Sequence, residues 1–158
     1  MALSVRRADV GDAELLWRWR NDPLVRQNSF NTQHIPWADH ELWFAGRVTS
    51  PDSRIYVLEE RDTPVAQIRY ERRDHVWAEV GDISVVAGER GKGYGRTILV
   101  LTMNLACEEF KAEKVLALVK KNNVASAGTF RSAGFDYQGQ VVERDCLCMR
   151  FIYSCALY

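Results

Sequence analysis

Several broad classes are excluded by what this chain lacks. It has no apolar run near the roughly 18 residues that a membrane helix needs. It has no net charge, because 21 lysines and arginines face 21 aspartates and glutamates. That argues against a general nucleic-acid binder, which is usually basic. Cysteines are few, at Cys107, Cys146, Cys148 and Cys155, and none forms a C-x-x-C pair. Cys146 and Cys148 flank a single residue with no histidine nearby, so neither a zinc nor a redox site is expected. The four cysteines are expected to be reduced and mostly buried. There is no repeat, no low-complexity tract and no Pro/Gly-rich linker. The first seven residues carry no signal-peptide apolar core, which makes the cytoplasm the expected compartment. What remains is a 158-residue chain, 47% apolar and 27% charged. These proportions suit one soluble domain spanning 1–158 with a single core.

The most informative stretch runs Val85-Val86-Ala87-Gly88-Glu89-Arg90-Gly91-Lys92-Gly93-Tyr94-Gly95-Arg96. A strand-like run, residues 78–85, leads into it. Behind it Ile98, Leu99, Leu101, Thr102, Leu105, Ala106 and Phe110 fall on one predicted helical face. A strand thus enters a glycine-rich turn that opens onto a helix N-terminus. The first N–H groups of a helix have no internal partner, and the helix dipole is positive there. Glycine lets the main chain bend tightly and approach a ligand closely. Arg90, Lys92 and Arg96 add charge, so the stretch is expected to hold an anion, best a pyrophosphate. The spacing fits neither a Walker A loop, which ends in Gly-Lys-Ser/Thr, nor the dinucleotide pattern G-x-G-x-x-G.

The segment Arg90-Gly91-Lys92-Gly93-Tyr94-Gly95 resembles the acetyl-CoA signature of the GCN5-related N-acetyltransferases, Arg/Gln-x-x-Gly-x-Gly/Ala. A second block supports the resemblance: Asn123 and Ser126, followed by Gly134-Phe135, are similar to the family's Asn-x-x-Ser…Gly-Phe pattern. The resemblance implies acetyl-CoA as co-substrate, no metal, and transfer to a primary amine by direct attack on the thioester. It implies that Val85, Val86, Arg90, Gly91, Lys92, Gly93, Tyr94, Gly95, Arg96, Asn123, Ser126 and Phe130 contact the cofactor. Asn123 also reads as an ordinary helix cap. By the same resemblance the Val85 N–H polarises the thioester carbonyl, an oxyanion-hole role. Glu79, six residues earlier, is the leading general base, and Asp82 is the runner-up. The family often has a tyrosine, the acid that reprotonates the thiolate, where this chain has Phe130. Tyr94 and Tyr137 are the remaining candidates for that acid.

The rest of the chain reads as an α/β (α+β) single domain. Its expected elements are a strand at 3–7, a helix at 10–21 capped by Asp9, and a short helical turn and loop at 24–31. A helix at 37–48 follows, anchored by Trp43 and Phe44. Strands are expected at 55–59, 64–72 and 76–85, with a bulge at Gly81-Asp82. Then come a helix at 93–111, a strand at 115–119, a helix at 124–133, and a hairpin of 135–142 with 146–153. The order β-α-α-β-β-β-α-β-α-β-β matches the resembled fold. That fold has a mixed sheet of about seven strands, splayed between the fourth and fifth and flanked by about four helices.

The stretch from Trp17 to Phe30, with His40 and Trp43-Phe44, resembles a narrower branch. Its members acetylate the 4-amino group of nucleotide-linked amino-deoxysugars in bacterial nonulosonic (pseudaminic) acid and surface-polysaccharide synthesis. The resemblance implies that Arg20 and Arg26 meet phosphates, that Asn21, Asp22 and Ser29 meet hydroxyls, and that Trp43 stacks on a sugar or base. The aromatic residues read equally well as core. The Arg-Asn-Asp-Pro segment is shared with ribosomal-protein N-terminal acetyltransferases, which keeps a peptide acceptor open. Phe130 keeps a non-catalytic acyl-CoA sensor open. The expected partner is a small molecule rather than a nucleic acid or a membrane. Dimers are common in the family, so a homodimer also stays open.

Overall fold

Among the described residues, period-two stretches of β-branched and aromatic residues build seven strands, and period-3.6 stretches build five α-helices. The computed structural model describes residues 2–156. In chain order the elements are β1 (Leu3–Arg7), α1 (Ala13–Arg20), α2 (Pro23–Asn28), α3 (Trp37–Thr49), β2 (Ser53–Glu60), β3 (Thr63–Arg72) and β4 (Trp77–Val85). After the glycine-rich turn come α4 (Tyr94–Phe110), β5 (Lys114–Lys120), α5 (Val124–Ser132), β6 (Asp136–Glu143) and β7 (Cys146–Ser154). One sheet holds all seven strands in the order β1-β2-β3-β4-β5-β7-β6. Every pairing is antiparallel except β4 with β5. No helix among the described residues is long and apolar enough to cross a membrane.

The helix expected at 10–21 begins with a tighter 3-10 turn, Val10–Asp12, before α1. Asp9 and Asp12 cap each other's backbone N–H groups reciprocally. Asp12 also takes two hydrogen bonds from the Arg6 guanidinium, at 2.7 and 2.8 Å. Those bonds hold its carboxyl below the usual carboxylate range, against an opposing push from burial. Because the folded value is the lower one, this stabilisation is present above the unfolded pKa and fades as pH falls through the folded value. Asp12→Asn is expected to cost about 2 kcal/mol at neutral pH, leaving the Arg6 guanidinium with Glu59, at 3.2 Å, as its remaining carboxylate partner. The gap in melting temperature from the parent closes below about pH 4. An equal gap at pH 3 and pH 7 would show that charge is not the cause.

The sheet is covered on both faces. Tyr56, Leu58, Ile68 and Tyr70 point into the large core beneath α4 and α5, with Ile98, Leu99, Phe110, Phe130 and Phe151. Ile55 points the other way, to a smaller cluster with Leu16, Trp19 and Phe44 of α1 and α3. Three expectations need correcting. Trp43 is not an anchor of α3, being 39% exposed while its neighbour Phe44 is buried, because the helix turns only one of the two toward the sheet. Leu101 and Leu105 lie off the buried face of α4, which runs through Met103 and Cys107 instead. Cys107 and Cys155 are not reduced but joined in a disulfide. The end of α4 and the segment after β7, 48 residues apart in sequence, come to a Cα–Cα distance of 5.8 Å, inside the span a disulfide bridges. Cys146 and Cys148 are free, and Cys148 is fully buried.

Two features of β4 place the site. The first is the expected bulge. Arg69 pairs with Asp82 and Tyr70 with Val80, leaving Gly81 as the extra residue. An inserted residue reverses which face the following side chains take. Asp82 and Ser84 therefore sit on the same face as Gln67 and Arg69 of β3, not in the α4 core. A Cβ on Gly81 would lie 2.5 Å from the Arg69 guanidinium carbon, so glycine is what lets Arg69 cross the bulge. The second feature is the splay. β4 pairs with β5 only from Trp77 to Glu79, and beyond that the strands part.

Candidate active site

Two cavities flank the splayed part of β4. The first, a cleft of about 480 Å³, runs between β4, β5, the glycine-rich turn, α2 and α5. At its end Gly93 caps α4 with φ of 82°, and no side chain caps the helix. Gly91 is also left-handed, at φ 83°. The first amides of a 17-residue helix are thus presented to the cleft with the positive end of its dipole. Val85, Arg90, Gly91, Gly93, Tyr94, Gly95, Arg96, Asn123, Ser126 and Phe130 all line it. Val86 and Lys92 do not; Val86 packs on both apolar clusters, and the Lys92 ammonium is 2.6 Å from Glu89.

The orientation of Val85 follows from its neighbour. The Val86 N–H donates to the Val65 carbonyl at 2.9 Å, on the β3 side. Successive N–H groups of a strand point to opposite edges, so the Val85 N–H points into the splay. Asn123 caps α5, its side-chain oxygen accepting from the Ser126 N–H at 3.2 Å. Phe130 packs edge-on to Phe135 and over Phe151 while lining the cleft. Neither tyrosine considered as an acid is free in the cleft. The Tyr94 hydroxyl donates to Glu60, and Tyr137 lies outside, against Phe151 and Arg131.

The second cavity, about 630 Å³, lies on the other face, beneath α1, α3 and the loop between α2 and α3. Arg20, His40, Trp43, Gln67, Arg69 and Asp82 are on its wall. Asp82 also lines the cleft, so the two spaces meet at this carboxylate. It accepts from Gln67 Nε2 at 2.8 Å and Arg69 Nε at 3.0 Å. Glu79 sits elsewhere: it is buried, ion-paired with Arg73, 3.8 Å from Arg144, and lines neither space. Its cross-strand neighbour is Glu71.

Among the residues expected at the acceptor, Arg20 and Trp43 line the second cavity and Ser29 lines the cleft. Asn21, Asp22 and Arg26 line neither. Asp22 caps α2 and binds Arg90 at 2.8 Å, tying the acceptor side to the glycine-rich turn. Asn21 donates to the Ile35 carbonyl at 2.9 Å and accepts from the Ile35 N–H at 2.8 Å. Both ends of its amide are therefore used to hold the cavity wall. Asn21→Ala is expected to raise the acceptor KM about tenfold, since the half-buried Ile35 N–H loses its side-chain partner and the Ile35 carbonyl is left with Trp17 Nε1 alone, and to leave the acetyl-CoA KM within about twofold. Steady-state kinetics with each substrate varied in turn would check this, and equal damage to both constants would refute it.

Gln67 and Arg69 were not singled out as ligand residues from sequence, and His40 entered only as part of the resembled acceptor stretch. His40 is buried and its Nε2 is 2.9 Å from the Ala13 carbonyl. A carbonyl only accepts, so Nε2 carries the proton and Nδ1 keeps its lone pair. Burial holds the imidazole pKa down, which keeps His40 neutral. The signal for Gln67 and Arg69 was present as polar alternation through Gln67, Arg69 and Glu71. It reads as a solvated strand face until α3 is found to cover it.

A family model described as an acetyltransferase (GNAT) domain matches residues 2–136. An uncharacterized protein of Methanocaldococcus jannaschii is 26% identical over 135 residues, which is 83% of this chain. The chain spans only 27% of that relative's length. Among solved structures, the aminoglycoside acetyltransferase AAC(6')-Ib in complex with ribostamycin and coenzyme A superposes with a TM-score of 0.83 at 16% identity, covering 98% of this chain and 94% of that one. Spermidine N-acetyltransferase from Vibrio cholerae, in complex with CoA and spermine, gives 0.85 at 18% identity, covering 96% and 95%.

Proposed function

This chain belongs to the acetyltransferase (GNAT) domain family, and from that premise we propose that it moves the acetyl group of acetyl-CoA to the amino group of a nucleotide-linked amino-deoxysugar. One observation carries the reading: two separate cavities, on opposite faces of the sheet, meet at β4 beside an unpaired stretch of backbone. Two reactants must approach one point from different sides, and this geometry provides that. The cleft ending at Gly93 suits a pyrophosphate and an extended arm. The second cavity suits a compact polar ligand, with Trp43 exposed to stack on a ring face.

The chemistry follows from the placement. The neutral amine attacks the thioester carbon, forming the C–N bond, and the Val85 N–H donates to the oxygen as it becomes negative. Asp82, directly or through one water, takes the proton that the nitrogen sheds. The carbonyl re-forms, the C–S bond breaks, and coenzyme A departs as thiolate. With Phe130 at the usual tyrosine position, departure without a dedicated acid is tolerable, because a thiol has a pKa of only about 8.5. Glu79 remains the alternative base, acting through water from its ion pair with Arg73.

The test is release of free coenzyme A with a panel of amino-sugar nucleotides, peptides with free N-termini, and spermidine. Turnover confined to the amino-sugar nucleotides is the expected result. Turnover confined to peptides would replace this acceptor with a protein N-terminus. Tight acetyl-CoA binding without turnover on any amine would make the domain an acyl-CoA sensor.

A further inference from the structure

Three cations and three carboxylates lie beside the second cavity, but they do not pair off one to one. Arg47, Glu71, Arg69 and Asp82 form an alternating chain. Arg47 is 3.2 Å from Glu71, Arg69 is 2.7 Å from the other Glu71 oxygen, and Arg69 Nε is 3.0 Å from Asp82. Two cations and two anions satisfy one another. Asp39, a further carboxylate on the wall, is exposed, so water screens it. His40 is neutral. That leaves Arg20.

Arg20 donates once, through Nη2 to the Asn31 carbonyl at 3.3 Å. Its Nη1 is buried and has no hydrogen-bond partner among the described residues. Its two charged neighbours pull in opposite senses, Asp82 favouring the charge and Arg69 opposing it. Burial opposes it most. A guanidinium keeps its proton regardless, so the protein bears the cost of a desolvated cation with an unused donor. Such a group is stabilised by an oxyanion that accepts from it.

We infer that Arg20 selects an acceptor carrying a phosphate or carboxylate close to its reacting amine, and disfavours polycations. The inference rests on reading this cavity as the acceptor site. The amine meets Asp82 while the oxyanion meets Arg20 on the same wall, which is the charge pattern of a zwitterion. A polyamine places a second cation against Arg20 and Arg69. This chain therefore shares its fold with enzymes whose solved complexes hold spermine or ribostamycin, yet takes acceptors of the opposite charge.

The experiment compares glucosamine 1-phosphate, an amino-deoxy uronic acid, uncharged glucosamine and spermidine on the parent, Arg20→Gln and Arg20→Lys. The parent is expected to prefer an anionic acceptor over glucosamine by about 30-fold in kcat/KM, the size of a charge-assisted hydrogen bond. Arg20→Gln erases that preference through KM, and Arg20→Lys restores part of it. The phosphate and carboxylate arms identify which oxyanion is read. Equal use of spermidine and the anionic amines, or an unchanged preference in Arg20→Gln, overturns the inference. Calorimetry of glucosamine 1-phosphate with saturating coenzyme A separates this failure from failure of catalysis. Binding lost in Arg20→Gln supports the anion site even without turnover, and binding unchanged overturns it. Arg20→Gln is also expected to melt no lower than the parent, since it removes an unpaired buried charge.

Discussion

Gly93→Val is expected to lower acetyl-CoA affinity by at least about 100-fold, with a loss of stability too small to explain it. Gly93 has φ of 82° and sits directly before α4. A β-branched residue disfavours that conformation by about 1–2 kcal/mol and would rotate the peptide to escape it. Rotation turns the amides at the helix start away from the cleft. A charge-assisted hydrogen bond contributes about 1.5–3 kcal/mol, so losing two reaches the stated effect. Protein packing is not at issue, because a Cβ at Gly93 meets nothing within 4 Å. Gly95→Ala is the control. Its Cβ would make ordinary contacts, 3.9 Å from Val85 and 4.0 Å from Ile83, and alanine favours the helix by about 1 kcal/mol. It is expected to fold at least as stably as the parent. Calorimetric titration of each variant, with its melting temperature, reads both effects. A Gly93→Val protein that binds acetyl-CoA like the parent would remove the basis for placing the pyrophosphate at α4.

Asp82→Asn is expected to lower kcat by about 100- to 10,000-fold. An asparagine keeps the shape, but its single acceptor oxygen serves Gln67 or Arg69 and not both, and it takes no proton. Glu79→Gln has a different expected signature. Glu79 is buried against Arg73, so removing its charge strands a cation and lowers stability. Its effect on kcat should stay within about tenfold, because it borders neither cavity. Sequence reading ranks Glu79 first by position in the resembled pattern. The geometry favours Asp82, since only Asp82 of the two borders both reactant spaces. If Asp82→Asn retained kcat while a folded Glu79→Gln lost it, the base would be Glu79.

Much of the fold was legible because it is written locally. A proline stopping α1, a left-handed glycine after α5, and the period change after residue 50 need only neighbouring residues to be read. The bulge at Gly81 was legible for the same reason, as a glycine interrupting alternation. The order β5-β7-β6 was not, because the last hairpin inserts its second strand and nothing local says which strand pairs inward. The disulfide was missed on similar grounds, its partners being joined only by packing.

By itself the sequence determined the strand, the glycine-rich turn and the uncapped helix that follows, since backbone conformation and helix ends depend on residues within a few positions. Only the tertiary structure decided which carboxylate borders both cavities, which arginine is left unpaired, and which polar residues hold the walls. Those outcomes rest on contacts between distant positions. Arg90 finds Asp22 68 residues away, and Arg69 spends its charge on two carboxylates before Arg20 can share either. Charge pairing and burial exist only once the sheet has brought these groups together, so no local pattern encodes them.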